Sequence, residues 1–147
     1  MKKKVLMVCL GNICRSPTAE AILKKMAVEL NILVEVDSAG TAGYHVGEPS
    51  DSRSIKHAEK RGYEMTHLAR KVSISDFEVF DHILAMDDSN YENLKNICPP
   101  YLLYKIEAIA QYDRYGKIKE IPDPYYKDAA EFEKVIDYLE VCISGFI

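Results

Sequence analysis

Val5-Leu6-Met7-Val8-Cys9-Leu10-Gly11-Asn12-Ile13-Cys14-Arg15-Ser16-Pro17 is the stretch on which the fold turns. The unbroken apolar run Val5 to Val8 reads as a short buried parallel strand. Beyond the loop, Ala19, Ile22, Leu23, Met26, Ala27 and Leu30 recur at helical spacing, so one face is apolar. Glu20, Lys24, Lys25 and Glu29 are expected to face water, and Pro17 suits the first turn. A strand therefore runs through a Gly- and Asn-containing loop into a helix.

Such a unit aims unpaired backbone N–H groups and the positive end of a helix dipole at one point, which is where an anion binds. Leu10, Gly11, Asn12, Ile13, Cys14 and Ser16 form the expected phosphate-contacting loop, and Asn12 suits a left-handed turn. Cys9 ends the strand at the floor of this cradle, and Arg15 adds a planar donor able to grip two oxygens at once. The same field favours thiolate over thiol, with Ser16 close enough to donate a hydrogen bond to sulfur. Cys9 is read as a nucleophile aimed at phosphorus.

Outward from this unit, Val34-Glu35-Val36-Asp37-Ser38-Ala39 alternates and breaks at Gly40, which predicts a second strand. Asp51-Ser52-Arg53 opens a polar helix to about Arg61, closed by Gly62. His82 to Met86 is a further buried strand. Asp87-Asp88-Ser89 then caps a helix through Asn96 that Pro99-Pro100 ends. Lys105 to Ala110 reads as a fourth strand. Phe132, Val135, Ile136, Leu139, Cys142, Ile143 and Phe146 mark a C-terminal amphipathic helix. This alternation predicts an α/β fold, a parallel sheet with helices on both faces and ligands at the strand C-termini.

With 147 residues, the chain fits one domain, residues 1–147, with a sizeable core. A net charge of −4 gives no support to nucleic-acid or anionic-membrane binding. The basic start, Met1-Lys2-Lys3-Lys4, precedes an apolar run too short for a signal peptide, and no run approaches a membrane span, so a cytoplasmic protein is expected. No cofactor is expected, because the glycines match neither dinucleotide nor Walker-type spacing. No metal is expected either, since His45, His57, His67 and His82 are dispersed and pair with no cysteine at ligand spacing. Cys142 is expected in the core, and Cys98 at a helix end.

The string Val8 to Glu20, Val-Cys-Leu-Gly-Asn-Ile-Cys-Arg-Ser-Pro-Thr-Ala-Glu, resembles the low-molecular-weight protein tyrosine phosphatase family. The resemblance runs from Lys4 to about Leu139, and is tight at this loop, at Asp37-Ser38-Ala39, at Met86-Asp87 and at Asp123-Pro124-Tyr125-Tyr126. It implies a four-stranded sheet of order 2-1-3-4 and metal-free hydrolysis of phosphotyrosine in proteins, with a phosphocysteine intermediate and inorganic phosphate as product. It also implies that Asp123 is the general acid and then base, and that Ser38 and His67 contact Asn12. Tyr44 would form one aromatic wall of the pocket, with Tyr125 and Tyr126 the other. His67 is equally readable as a structural histidine, and Asp87 either fixes Arg15 or Ser16 or simply caps a helix. Lys127 departs from a position where the family often has glycine.

Two enzymes of the same fold are rivals. An arsenate reductase would need two further, closely spaced cysteines, which Cys98 lacks. A phosphoarginine phosphatase resembles this loop with threonine where Ile13 stands; an apolar residue favours an aryl ring. A noncatalytic phosphotyrosine-binding module needs neither nucleophile nor acid. Cys14 is either a packing residue or a redox partner that intercepts oxidised Cys9.

Overall fold

The computed structural model describes residues 2–147; Met1, which heads the basic stretch, lies outside them. β1 (Lys3–Cys9) passes through residues 10–14 into α1 (Arg15–Glu29), and β2 (Val34–Gly40) follows. α2 (Ser52–Lys60) starts at Asp51, whose carboxylate accepts the Arg53 backbone N–H at 2.8 Å. Just beyond α2, Gly62 adopts φ +84°, the left-handed conformation that ends a helix cheaply only with glycine. α3 (Ile74–Val79), β3 (His82–Ala85) and α4 (Asp88–Ile97) come next. β4 is only Ile106–Ala108, shorter than the expected Lys105–Ala110, because 3₁₀ turns at Pro100–Lys105 and Ile109–Tyr112 take its ends. α5 (Ala129–Phe146) closes the fold.

The sheet is wholly parallel, in the order β2-β1-β3-β4, as the family resemblance implied. β1 lies inside it, with Cys9 beside Gly40 and Val8 beside both Ala39 and Ala85. Successive strands are laid on opposite sides of β1, so Cys9 sits at the switch point where α/β sheets bind ligands.

Val5 and Met7 point into a core shared with Ala19, Ile22 and Leu23 of α1 and Leu139 and Ile143 of α5. Leu6 and Val8 point the other way, into a second core with Phe77 of α3, Ile83 of β3 and Leu94 of α4. Burial on both faces explains why β1 is an unbroken apolar run and does not alternate. Full burial of each such Leu or Ile is worth about 1.5–3 kcal/mol, so the strand carrying Cys9 is firmly seated. Cys142 is in the first core and Cys98 in the second, at the C-cap of α4.

One expectation is corrected by α1. Glu20, assigned to the wet face, is only 5% exposed, while Lys24 and Glu29 do face solvent. The first turns of α1 dive beneath the loop, so residues Arg15 to Leu23 are all buried and Glu20 needs internal partners. Leu30, assigned to the apolar face, is exposed at the far end.

Candidate active site

Cys9 is 3% exposed, and its Sγ lies 3.0 Å from Ser16 Oγ. Ser16 Oγ already accepts from Asn12 Nδ2 at 2.8 Å, so its own proton is free to point at the sulfur. α1 has no side-chain cap and no acidic residue in its first turn, which leaves its N-terminal field unneutralised toward the loop. β2 makes room for that loop. A Cβ on Gly40 would stand 2.6 Å from the Leu10 carbonyl oxygen and 3.2 Å from the Asn12 nitrogen.

Asn12 takes φ 59° and uses its amide completely. Nδ2 donates to Ser16 Oγ and to Ser38 Oγ at 3.0 Å, while Oδ1 accepts from the Arg70 backbone N–H at 2.9 Å and faces His67 Nε2 at 2.7 Å. Such saturation holds a strained backbone in one shape. The second tier is charged. Ser38 Oγ donates to Glu20 Oε1 at 2.7 Å, and His67 Nδ1 faces Glu20 at 3.2 Å and Asp37 at 3.3 Å. Asp37 is paired in turn with Arg70, which also binds Asp76. Ligand atoms of Glu20, Asp37 and His67 lie within 4.8 Å of one another, but each is already engaged in this brace.

Arg15 is 3% exposed. Its Nη1 donates to Asp87 Oδ2 at 2.6 Å and to the Ile121 carbonyl at 3.0 Å, and Nη2 lies 3.7 Å from Asp123 Oδ2. Burial alone would lower the guanidinium pKa, but the negative charge of Cys9 and of Asp87 outweighs it and raises it. Asp87 Oδ1 accepts the Asn90 backbone N–H at 2.8 Å and caps α4, while Oδ2 accepts from Arg15.

These groups open into a cleft of about 290 Å³. It is lined by Cys9, Leu10, Gly11, Ile13, Cys14 and Arg15 of the loop together with Tyr44, His45, Asp123, Tyr125 and Tyr126. Tyr125 and Tyr126 meet edge to face at 4.8 Å, and Tyr126 is 90% exposed. Asn12 and Ser16 lie elsewhere: their side chains are beneath the loop, in its supports, and line no part of the cleft. Cys14 is buried against Ile13, Ala69 and Phe132, and desolvation pushes its thiol up to about 12 against an opposing hydrogen bond with Ser54. Neither Cys9 nor Cys14 is in a disulfide.

Three nearby residues escaped the sequence reading. Glu20 gave no signal, because a glutamate in an amphipathic helix is normally solvated. His45 lines the cleft beside Gly11, with Nδ1 3.3 Å from the Glu48 carboxylate; its only signal was its place next to Tyr44. Arg53 lies over the Tyr125 ring.

A Cys-x5-Arg loop at the switch point of a β2-β1-β3-β4 parallel sheet defines a class, the low-molecular-weight type of tyrosine phosphatase. The model of that family, low molecular weight phosphotyrosine protein phosphatase, matches residues 4–147. The human protein of that name is 42% identical over 149 aligned positions, covering 99% of this chain and 94% of its own. A Drosophila melanogaster relative, low molecular weight phosphotyrosine protein phosphatase 1, is 38% identical over 100% of this chain and 96% of its own. The crystal structure of an Entamoeba histolytica protein tyrosine phosphatase with Hepes in the active site superposes with a TM-score of 0.96 at 43% identity, covering 98% of this chain and 94% of that one. The chain belongs to the low-molecular-weight phosphotyrosine protein phosphatase family, whose members are hydrolases.

Proposed function

We propose that the chain hydrolyses phosphotyrosine in proteins and small aryl phosphates in two steps through Cys9. In the first, Cys9 Sγ attacks phosphorus in line with the ester bond, the S–P bond forms and the P–O bond breaks. Asp123, protonated, delivers its proton to the departing phenolic oxygen. In the second, the Asp123 carboxylate takes a proton from water, the water oxygen attacks phosphorus, and the thiolate leaves with release of inorganic phosphate. The observation that carries this reading is the convergence of Cys9, Arg15 and Asp123 on one cleft, with the guanidinium 3.7 Å from the carboxylate.

Arg15 Nη1 spends both its protons on Asp87 and Ile121, so Nε and Nη2 remain to grip two phosphoryl oxygens while backbone N–H groups of residues 10–14 take the rest. Asn12, Ser16, Ser38, His67, Asp87 and Glu20 act on the reaction through the loop's shape. Ser16 further steadies the sulfur as nucleophile and as leaving group. Tyr44, Tyr125 and Tyr126 offer flat apolar walls to an aryl ring.

Ile13, lining the cleft, supports phosphotyrosine over phosphoarginine, since it offers a guanidinium no hydrogen bond. Cys98 and Cys142 lie in separate cores, which leaves an arsenate reductase without its relay. No helix among the described residues is long and apolar enough to cross a membrane. A cytoplasmic location belongs to the same proposal, supported by four unpaired cysteines, one of which must stay reduced to act.

Turnover of phosphotyrosine, phosphoserine and phosphoarginine compounds, with arsenate reduction measured alongside, tests the assignment. Phosphotyrosine should be strongly preferred, and rapid quenching with labelled substrate should leave phosphate on Cys9. Label on an aspartate or histidine, or a preference for phosphoarginine, overturns it.

A further inference from the structure

We propose that Arg53 is a positioning residue for the acid loop, clamping Tyr125 against the phosphate loop so that Asp123 stands over Cys9. This role rests on the reaction proposed above. Between Ile121, whose N–H binds the Met86 carbonyl at 2.8 Å, and Phe132 of α5, Pro124 is the single buried residue. Among the described residues Asp123 itself is held by the Tyr125 backbone N–H, 3.2 Å from Oδ1, and by the longer approach to Arg15. Whatever fixes Tyr125 therefore fixes the acid.

Tyr125 is half-buried, packed against the cluster of Ile13, Cys14, Ala69 and Phe132, and the Arg53 guanidinium lies over its ring. Its Cζ lies 5.4 Å from the Tyr125 ring centre and 4.8 Å from that of Phe132, so one cation bridges the acid loop and the helix that follows it. The guanidinium is aimed by a two-point pair with Asp51, Nε to Oδ1 at 3.0 Å and Nη2 to Oδ2 at 2.8 Å. Asp51 is in turn tied to the phosphate loop, its backbone N–H donating to the Ile13 carbonyl at 2.8 Å. The path Ile13, Asp51, Arg53, Tyr125, Asp123 thus links the nucleophile's loop to the acid's loop from outside the cleft. Arg53 lines no part of the cleft.

The test is kcat/KM for aryl phosphates of graded leaving-group pKa, measured on wild type, Arg53→Gln, Arg53→Lys, Asp123→Ala and the Arg53→Gln/Asp123→Ala double variant. The N-cap of α2 survives these substitutions, because Asp51 caps through the backbone of residue 53. Arg53→Gln should lower kcat/KM about tenfold for the poorest leaving groups and little for the best. Lysine, which keeps a cation over the rings, should restore part of the loss. Inhibition by inorganic phosphate should not change. In the Asp123→Ala background Arg53→Gln should cost nothing more, as expected when two residues act through one step. A loss equal across the series, or one that multiplies with that of Asp123→Ala, overturns the role of Arg53 while a steep Asp123→Ala profile leaves the acid in place. A flat Asp123→Ala profile removes the acid assignment and the positioning role together.

Discussion

Across residues 9–16 every position but Leu10 is buried or half-buried, and the amide of Asn12 has all its hydrogen-bonding capacity filled. Across residues 121–128, on the other side of the same cleft, only Ile121 and Pro124 are buried. The contrast follows from the work each loop is proposed to do. A cradle that stabilises charge must have its donors fixed before substrate arrives, since reorienting them during the reaction would cost what they contribute. An acid must exchange protons with water between half-reactions and let a protein-borne side chain in and out. The denser hydrogen bonding thus lies on the side proposed to bind phosphate and the sparser on the side proposed to carry the acid.

The sharpest way to break the comparison is at Cys9. Cys9→Ser should abolish turnover, yet phosphate or vanadate should still bind, because the cradle consists of backbone and Arg15. Loss of anion binding, measured by calorimetry, would show that the thiolate is part of the binding site.

Next in size is Asp123→Ala. Its kcat/KM should fall by ~10²–10⁴, the range of a general acid, and least for substrates with good leaving groups. Because the side chain is 46% exposed with few contacts, thermal stability should hardly move. A large drop in Tm would place the acid loop among the structural elements.

Asn12→Ala should do the reverse. It strands Ser38, His67 and the Arg70 N–H and puts alanine at φ 59°, so stability should fall by about 1–3 kcal/mol and phosphate affinity with it. Chemical denaturation and phosphate titration read the two losses. A variant as stable as wild type would mean that the loop holds its shape without this hub.

The smallest effect is expected at Cys14. Peroxide should inactivate the protein by oxidising Cys9, and Cys14 should then close a Cys9–Cys14 disulfide that a thiol reductant reopens. Only the thiolate closes it. With its thiol pushed up to about 12, Cys14 is protonated at neutral pH, and its thiolate fraction grows about tenfold per pH unit below that value. Closure should therefore quicken as pH rises from 7 to 9, and Cys14→Ser should recover a smaller share of its starting activity. Peptide mapping that finds no crosslink, with equal recovery in the variant, would leave Cys14 as a packing residue beside Phe132.

What the amino-acid sequence determined by itself was the cradle and the layout around it. Cys9, Asn12, Arg15 and Ser16 lie within one strand-loop-helix segment, where backbone geometry alone brings neighbours in sequence together in space. Long periodic elements such as α1 and α5 were legible for the same reason. α3, six residues long, offers too few turns for a period to show, and β4 is three residues hemmed by 3₁₀ turns. Asp123, Tyr125 and the contacts of Ser38 and His67 came only through likeness to a family, for no spacing rule joins residues so far apart in the chain. Tertiary structure alone decided the rest. The descent of α1 beneath its own loop turned Glu20 from a surface residue into a buried acceptor for Ser38, and the packing of α2 against the acid loop set Arg53 over Tyr125. Solvation and pairing of a charged side chain depend on which distant element covers it, and that is a property of the assembled sheet and helices.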